Sequence, residues 1–231
     1  MAAIGILGGM GPQASNMLYE LLIKKTAQYT DAAIDEDYPE IVLLSIPVPN
    51  FISNKQKINK AKQMLIERTV LLENAGCSVI GIACNTVHLL LPDLQAVTRV
   101  PFVSIPKLVN ERIRREGFGR VGLLATPTTL GSRLYDDAID GAVLVRPKKR
   151  MADEAEAYIY QQLAGKLTQT DRMRFRNDVK MFMRQENLDA VILGCTELPL
   201  VYGEANITRI FDTLDILSDG LLEQYFSSQQ K

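Results

Sequence analysis

The chain has 231 residues, 26 Lys+Arg against 27 Asp+Glu, one His, three Cys and no Trp, with a formal net charge of −1 and 47% apolar residues. This is ordinary globular composition, and the near balance of charge leaves no electrostatic footprint for nucleic acid or an anionic membrane. No apolar run reaches the roughly 18 residues that a membrane-spanning helix needs, and the opening 1–7, without a basic segment before it, reads as a strand rather than a secretory leader.

In chain order the predicted elements alternate. Strand 4–7 precedes helix 13–29, and an acidic loop at 31–37 precedes strand 40–46. Helix 55–75 leads to strand 78–83. Within it Ile58, Ala61, Leu65, Val70 and Leu72 keep helical spacing on one apolar face. Strand 102–105 precedes helix 107–116, and strands 120–125 and 142–145 follow. The basic cluster Arg146, Lys148, Lys149 and Arg150 reads as a solvated loop before helices 153–163 and 171–186. Strands 190–193 and 209–211 come next, then helix 212–226 and a polar tail, 227–231, expected to fray. Most strands are continuous apolar runs without polar alternation, as parallel strands covered on both faces require. The alternation of strands and helices predicts an α/β fold with parallel sheet.

The chain also repeats itself. Ile4-Gly5-Ile6-Leu7 matches Val121-Gly122-Leu123-Leu124, and the run from Ser78 through Cys84-Asn85-Thr86 matches the run from Ala190 through Cys195-Thr196-Glu197. Both pairs share an offset of about 110–120 residues, the signature of a duplicated unit. The prediction is two pseudo-symmetric parallel-sheet α/β domains with the active cleft between them. The first comprises 1–100 plus 212–231 and the second 101–211, with the last helix returning to the first half.

Cys84 and Cys195 carry the chemistry. Each follows an apolar strand and precedes hydrogen-bonding residues, and ligands in open α/β sheets bind beyond the carboxyl ends of strands. A lone free Cys is usually an inert core residue, but two at matching positions of a repeat point to function. Cys77 lacks this context. An odd Cys count, two of the three in apolar runs, argues against a disulfide framework and for a reducing cytoplasm. Two opposed thiols suit inversion of a stereocentre, one thiolate removing a proton from one face while the opposite thiol supplies one to the other. The developing enolate-like charge needs stabilisation, for which backbone N–H groups, Asn85, Thr86 and Thr196 are available.

At these residues the chain resembles the aspartate/glutamate racemase family. Gly8-Gly9-Met10-Gly11-Pro12, Ala83-Cys84-Asn85-Thr86-Val87-His88 and Gly194-Cys195-Thr196-Glu197 look like its three signatures, in order and with suitable spacing along the whole chain. The resemblance implies a cofactor-independent amino-acid racemase with Cys84 and Cys195 as the two acid/base residues. It implies substrate contacts from Met10, Asn50, Asn85, Thr86, Thr128, Thr196 and Glu197, no cofactor, and a homodimer as the assembly. Glu197 stands where glutamate racemases usually carry His, which is closer to the aspartate racemase branch. Aspartate racemases typically carry Pro-Asp-Arg after the second strand, and here the stretch reads Pro49-Asn50-Phe51. A substrate-binding Lys of that branch aligns near Leu163 or Ala164, with Lys166 displaced. Loss of a bidentate clamp is not conservative, so aspartate is not fixed as the substrate. Asn54, Lys55 or Lys166 could supply a substitute contact.

The same residues admit other readings. His88 either tunes the Cys84 thiol or packs beneath its loop. A Cys–His hydrolase gives Cys195 no role. A metal site is a poor fit, with no Cys-x-x-Cys and no His pair. Gly9-Met10-Gly11-Pro12-Gln13-Ala14 resembles a dinucleotide loop, but the second strand ends without the acidic residue that holds a ribose. A related maleate isomerase, hydantoin racemase or arylmalonate decarboxylase, or a non-catalytic amino-acid-binding protein, are the alternatives to a racemase.

Overall fold

A computed structural model describes residues 2–30, 32–49, 57–203 and 209–229. It divides into two compact units, Met1–Ser104 with Leu214–Lys231, and Ile105–Thr213.

The first unit holds a four-stranded parallel sheet in the order β2-β1-β3-β4: β1 (Ala3–Gly8), β2 (Glu40–Ser45), β3 (Cys77–Ile82) and β4 (Phe102–Val103). The central β1 is buried along its whole length, whereas edge strand β2 is only half-buried. Continuous burial of Ile4, Ile6 and Leu7 explains why that run reads apolar without alternation. Helices α1 (Pro12–Thr30), α2 (Ile58–Asn74) and the short α3 (Leu91–Gln95) belong to this unit. So does most of α9 (Thr213–Gln229), whose Leu221 lies so close to β3 that a Cβ on Gly81 would come within 2.8 Å of it. Lys25 on α1 bonds both Asp215 and Asp219 of α9 at 2.7 Å.

The second unit repeats the arrangement with β6-β5-β7-β8: β5 (Arg120–Leu124), β6 (Val143–Val145), β7 (Ala190–Leu193) and β8 (Ile210–Asp212), all parallel. Its helices are α4 (Ile105–Glu116), α5 (Pro127–Leu130), α6 (Lys149–Leu163), α7 (Gln169–Gln185) and α8 (Glu197–Tyr202). Asp189 Oδ2 accepts from the backbone N–H groups of Gly119 and Arg120, at 2.9 and 2.8 Å, and so aligns the start of β5 with β7. A capping box starts α7: Thr168 Oγ1 accepts from Asp171 N, while the Asp171 carboxylate accepts from Thr168 N.

Both sheets are α/β with one strand order, as the repeat predicts, and all eight predicted strands are present with ends moved by two residues at most. Several details differ. Strand 102–105 stops at Val103 because Ile105 opens α4, whose second residue, Pro106, is suited to a first helical turn. Bonding of β4 to β3 keeps residues 102–103 in the first unit, so the units divide four residues later than the expected 100/101 boundary. The basic cluster is not all loop. Lys149 and Arg150 form the first turn of α6, paired one turn on with Asp153 and Glu154 at 3.0 and 3.9 Å. On α2, Val70 is exposed and Thr69 takes the core position, its hydroxyl donating to the Leu65 carbonyl at 2.9 Å. The tail continues α9 through Gln229 rather than fraying at 227. In the acidic loop, Asp37 accepts from the Ala33 and Ile34 amides, which hold its carboxyl below the usual range. No helix among the described residues is long and apolar enough to cross a membrane.

Candidate active site

In each unit the candidate residues stand at the carboxyl ends of the inner strands. Cys84 lies two residues beyond β3, and Cys195 two residues beyond β7. The backbone delivers them alike. The Ala83 amide donates to the Leu7 carbonyl at 3.0 Å and the Gly194 amide to the Leu124 carbonyl at 2.7 Å, each extending the ladder one residue before the thiol. Gly194 packs closely there, since a Cβ would come within 2.6 Å of Leu123 Cδ1 and 3.3 Å of the Leu124 carbonyl oxygen. Both thiols are buried, and neither is in a disulfide.

After Cys84 the chain turns at once into a 3-10 helix, Thr86–Leu90, with Asn85 and Thr86 buried at its start. His88 Nδ1 lies 2.9 Å from the Cys84 carbonyl oxygen. Burial lowers this imidazole to about 4, against opposing backbone hydrogen bonds at Cys84, Val103 and Asn85. His88 is therefore neutral at physiological pH and braces the loop that carries Cys84. The folded state holds the ring's proton less tightly than the unfolded chain, whose imidazole titrates near 6.5. The His88 share of stability is thus complete above pH 6.5 and is lost as pH falls toward 4, about 3 kcal/mol across that window. Denaturant unfolding between pH 7.5 and 4.5 is expected to show this decline, and His88→Gln to flatten it; equal slopes for the two proteins would refute the assignment.

Gly8, Gly9 and Met10 follow β1. Ser15 Oγ accepts from the Gly9 amide at 2.8 Å and donates to the Gly11 carbonyl at 3.1 Å, tying the loop onto α1. Gly9 sits at φ +89°, where an added Cβ would come within 2.3 Å of Ile46 N. Gly9 thus lets the loop approach the end of β2, and Pro12 opens α1. Met10 is half-buried against the first unit's core. Asn50, Phe51, Asn54 and Lys55 lie outside the described residues.

In the second unit, Thr126 caps α5, its hydroxyl accepting from the Thr129 amide, and Thr128 is half-buried on that helix. Cys195, Thr196 and Glu197 are all buried. Cys195 Sγ donates to Glu197 Oε2 at 3.0 Å, and Thr196 Oγ1 donates to the same oxygen at 3.2 Å. Tyr135, which no motif or spacing singles out, is buried near Cys195. Burial first, then the charge on Cys195, pushes its hydroxyl far above the usual range, so it stays protonated. Lys166 follows α6 and is exposed, displaced from Leu163 and Ala164, where the resemblance places a substrate-binding Lys. No group of three or more His, Cys, Asp or Glu suited to a metal ion occurs among the described residues.

The family model for Asp/Glu/hydantoin racemases matches residues 7–217. The chain belongs to this family. It is 25% identical over 230 residues to the broad-specificity amino-acid racemase RacX of Bacillus subtilis, covering 98% of this chain and 99% of that one. Among solved structures it resembles an aspartate racemase homologue from Pyrococcus horikoshii, with TM-score 0.77 and 31% identity over 96% of this chain and 98% of that one. The Picrophilus torridus aspartate racemase superposes with TM-score 0.73 and 27% identity, covering 96% and 94% of the two chains. Glutamate racemase from Francisella tularensis shares the fold, with TM-score 0.64 and 17% identity over 99% and 82%. As a family member the protein is an isomerase of the racemase type.

Proposed function

We propose that this racemase inverts the α-carbon of free amino acids without a cofactor, using Cys84 and Cys195 as its two acid/base groups. One thiolate takes the α-proton, the electron pair passes into an enolate-like carbanion, and the other thiol returns a proton to the opposite face. The single observation that carries this is the pairing of the thiols. Each is buried two residues beyond the third-placed strand of a repeated sheet and followed by hydrogen-bonding residues. Two-base inversion requires the thiols to address opposite faces of one Cα, and their matching places in the two repeats support that reading. Asn85, Thr86, Thr128 and Thr196, with backbone amides beside them, are the donors proposed for the substrate carboxylate and its developing charge.

The proposed substrates are acidic and related polar amino acids, with a spectrum wider than aspartate alone. Pro49-Asn50-Phe51 carries no guanidinium to demand a side-chain carboxylate, and full-length similarity to a relative named for broad specificity supports the same range. The test is proton NMR in D₂O, following loss of the α-proton signal from D- and L-aspartate, glutamate, asparagine and homoserine. Exchange with inversion from either enantiomer is expected on at least one of them. No exchange on any of these, with turnover of maleate or a hydantoin instead, would overturn the assignment in favour of another reaction.

A further inference from the structure

The two halves of the repeat match in backbone but not in charge. The positions after Cys84 are Asn85 and Thr86, which carry none, whereas the corresponding pair after Cys195 is Thr196 and Glu197. The carboxylate of Glu197, 3% exposed, turns back to the thiol, and its Oε2 accepts from both Cys195 Sγ and Thr196 Oγ1. We propose that Glu197 is a positioning residue that holds Cys195 as the thiol in the resting enzyme, leaving Cys84 to carry the thiolate and act first as base. The inference rests on the two-thiol mechanism above and adds an order to it.

The physical ground is like-charge exclusion. Ionising Cys195 would set a sulfur anion about 3 Å from a buried carboxylate oxygen, a like-charge contact that is strongly disfavoured. Because Oε2 already accepts from Thr196, the shared proton belongs on sulfur. Within the second unit, Glu197 brings a carboxylate to this thiol, and the nearby Tyr135 stays protonated and adds no charge. In the first unit His88 stands beside the Cys84 backbone and is neutral. From the resting form the enantiomer facing Cys84 reacts directly, and the reverse reaction starts from the minor form, with Cys195 as thiolate and Cys84 as thiol. In the direct reaction Cys84 thiolate removes the α-proton, Cys195 delivers its own proton to the other face, and proton exchange with water restores Cys195 to the thiol and Cys84 to the thiolate. Racemisation has an equilibrium constant of unity, so the asymmetry falls on kcat and KM separately while their ratio stays equal in the two directions.

The test follows alkylation of each cysteine by iodoacetamide as a function of pH, resolved by peptide mass spectrometry, in the wild-type protein and in Glu197→Gln. Restricted access slows a thiol's alkylation without moving its inflection, which follows thiolate formation. Cys195 is expected to inflect about one pH unit or more above Cys84, and Glu197→Gln to lower the Cys195 inflection by about a unit while leaving that of Cys84 in place. A wild-type Cys195 inflecting at or below Cys84 overturns the inference, even if the variant does not fold. So does a variant whose Cys195 inflection is unchanged. The reagent reads the thiols without turnover. Failure to racemise with the order intact defeats the proposed function alone, and a reversed order in an active racemase defeats this inference alone.

Discussion

Serine in place of either Cys84 or Cys195 is expected to cut racemisation by roughly two to four orders of magnitude, the usual worth of a positioned acid/base group. The hydroxyl occupies nearly the same space but ionises far less readily than a thiol, so folding is preserved while proton transfer is not. The two variants should also fail differently. With Cys195→Ser, Cys84 can still remove the α-proton of the enantiomer it faces and return solvent deuterium to the same side, giving exchange with retention. With Cys84→Ser, the opposite enantiomer should show that behaviour more slowly, because Glu197 disfavours the Cys195 thiolate. Proton NMR in D₂O, with chiral chromatography of the products, separates exchange from inversion. Undiminished racemisation by either variant, or exchange of the same enantiomer by both, would rule out the two-base scheme. Cys77→Ala serves as the control, since that thiol is buried in the core beside Gly5, and burial followed by the charge on Glu40 raises it to about 11.

Gly9→Ala is expected to be the most damaging small substitution near the site for stability, at about 3 kcal/mol or more, which lowers Tm by roughly 10 °C in a chain of this length. Two costs combine. At φ +89° any side chain is strained, and the added methyl would lie 2.3 Å from Ile46 N and 2.5 Å from Ile46 O, backbone atoms that cannot rotate away. The comparison is Gly141→Ala. Its φ of +81° imposes similar backbone strain, but nothing lies within 4 Å of the new Cβ, so a loss nearer 1 kcal/mol is expected. Thermal unfolding of both variants separates the terms. Equal losses would mean that approach to the end of β2 is not what constrains Gly9.

The sheets were legible in the sequence for a definite reason. Residues such as Ile4, Ile6, Val191 and Ile192 are buried in strands covered on both faces, so burial left uninterrupted apolar runs. Repetition then gave the shared strand order, because equivalent runs recur at a constant offset. The positions of Cys84 and Cys195 beyond their strands were legible on the same grounds. Local contests were not. Nothing in the spacing shows that Thr69 satisfies its hydroxyl on the preceding turn and displaces Val70 from the core, or that ion pairs one turn apart draw Lys149 and Arg150 into α6. Tyr135 lies in a stretch without periodicity, and only folding brings it near Cys195. Glu197 was expected as a substrate contact; that its carboxylate turns back to the thiol depends on side-chain rotation at a strand-to-helix turn, which sequence spacing does not encode.

Helix α9 has a consequence for how the protein is made. Leu214, Leu217, Leu221 and Leu222 are all buried, and Leu221 closes on Gly81 of β3. These leucines leave the ribosome only after every residue of the second unit. The continuous stretch Ile105–Thr213 can therefore complete its sheet during synthesis, while the first unit, begun earlier, waits with apolar surface on β3 uncovered. Nascent chains halted shortly before Leu214 would expose that surface, and the first unit, though translated first, is the last to be finished.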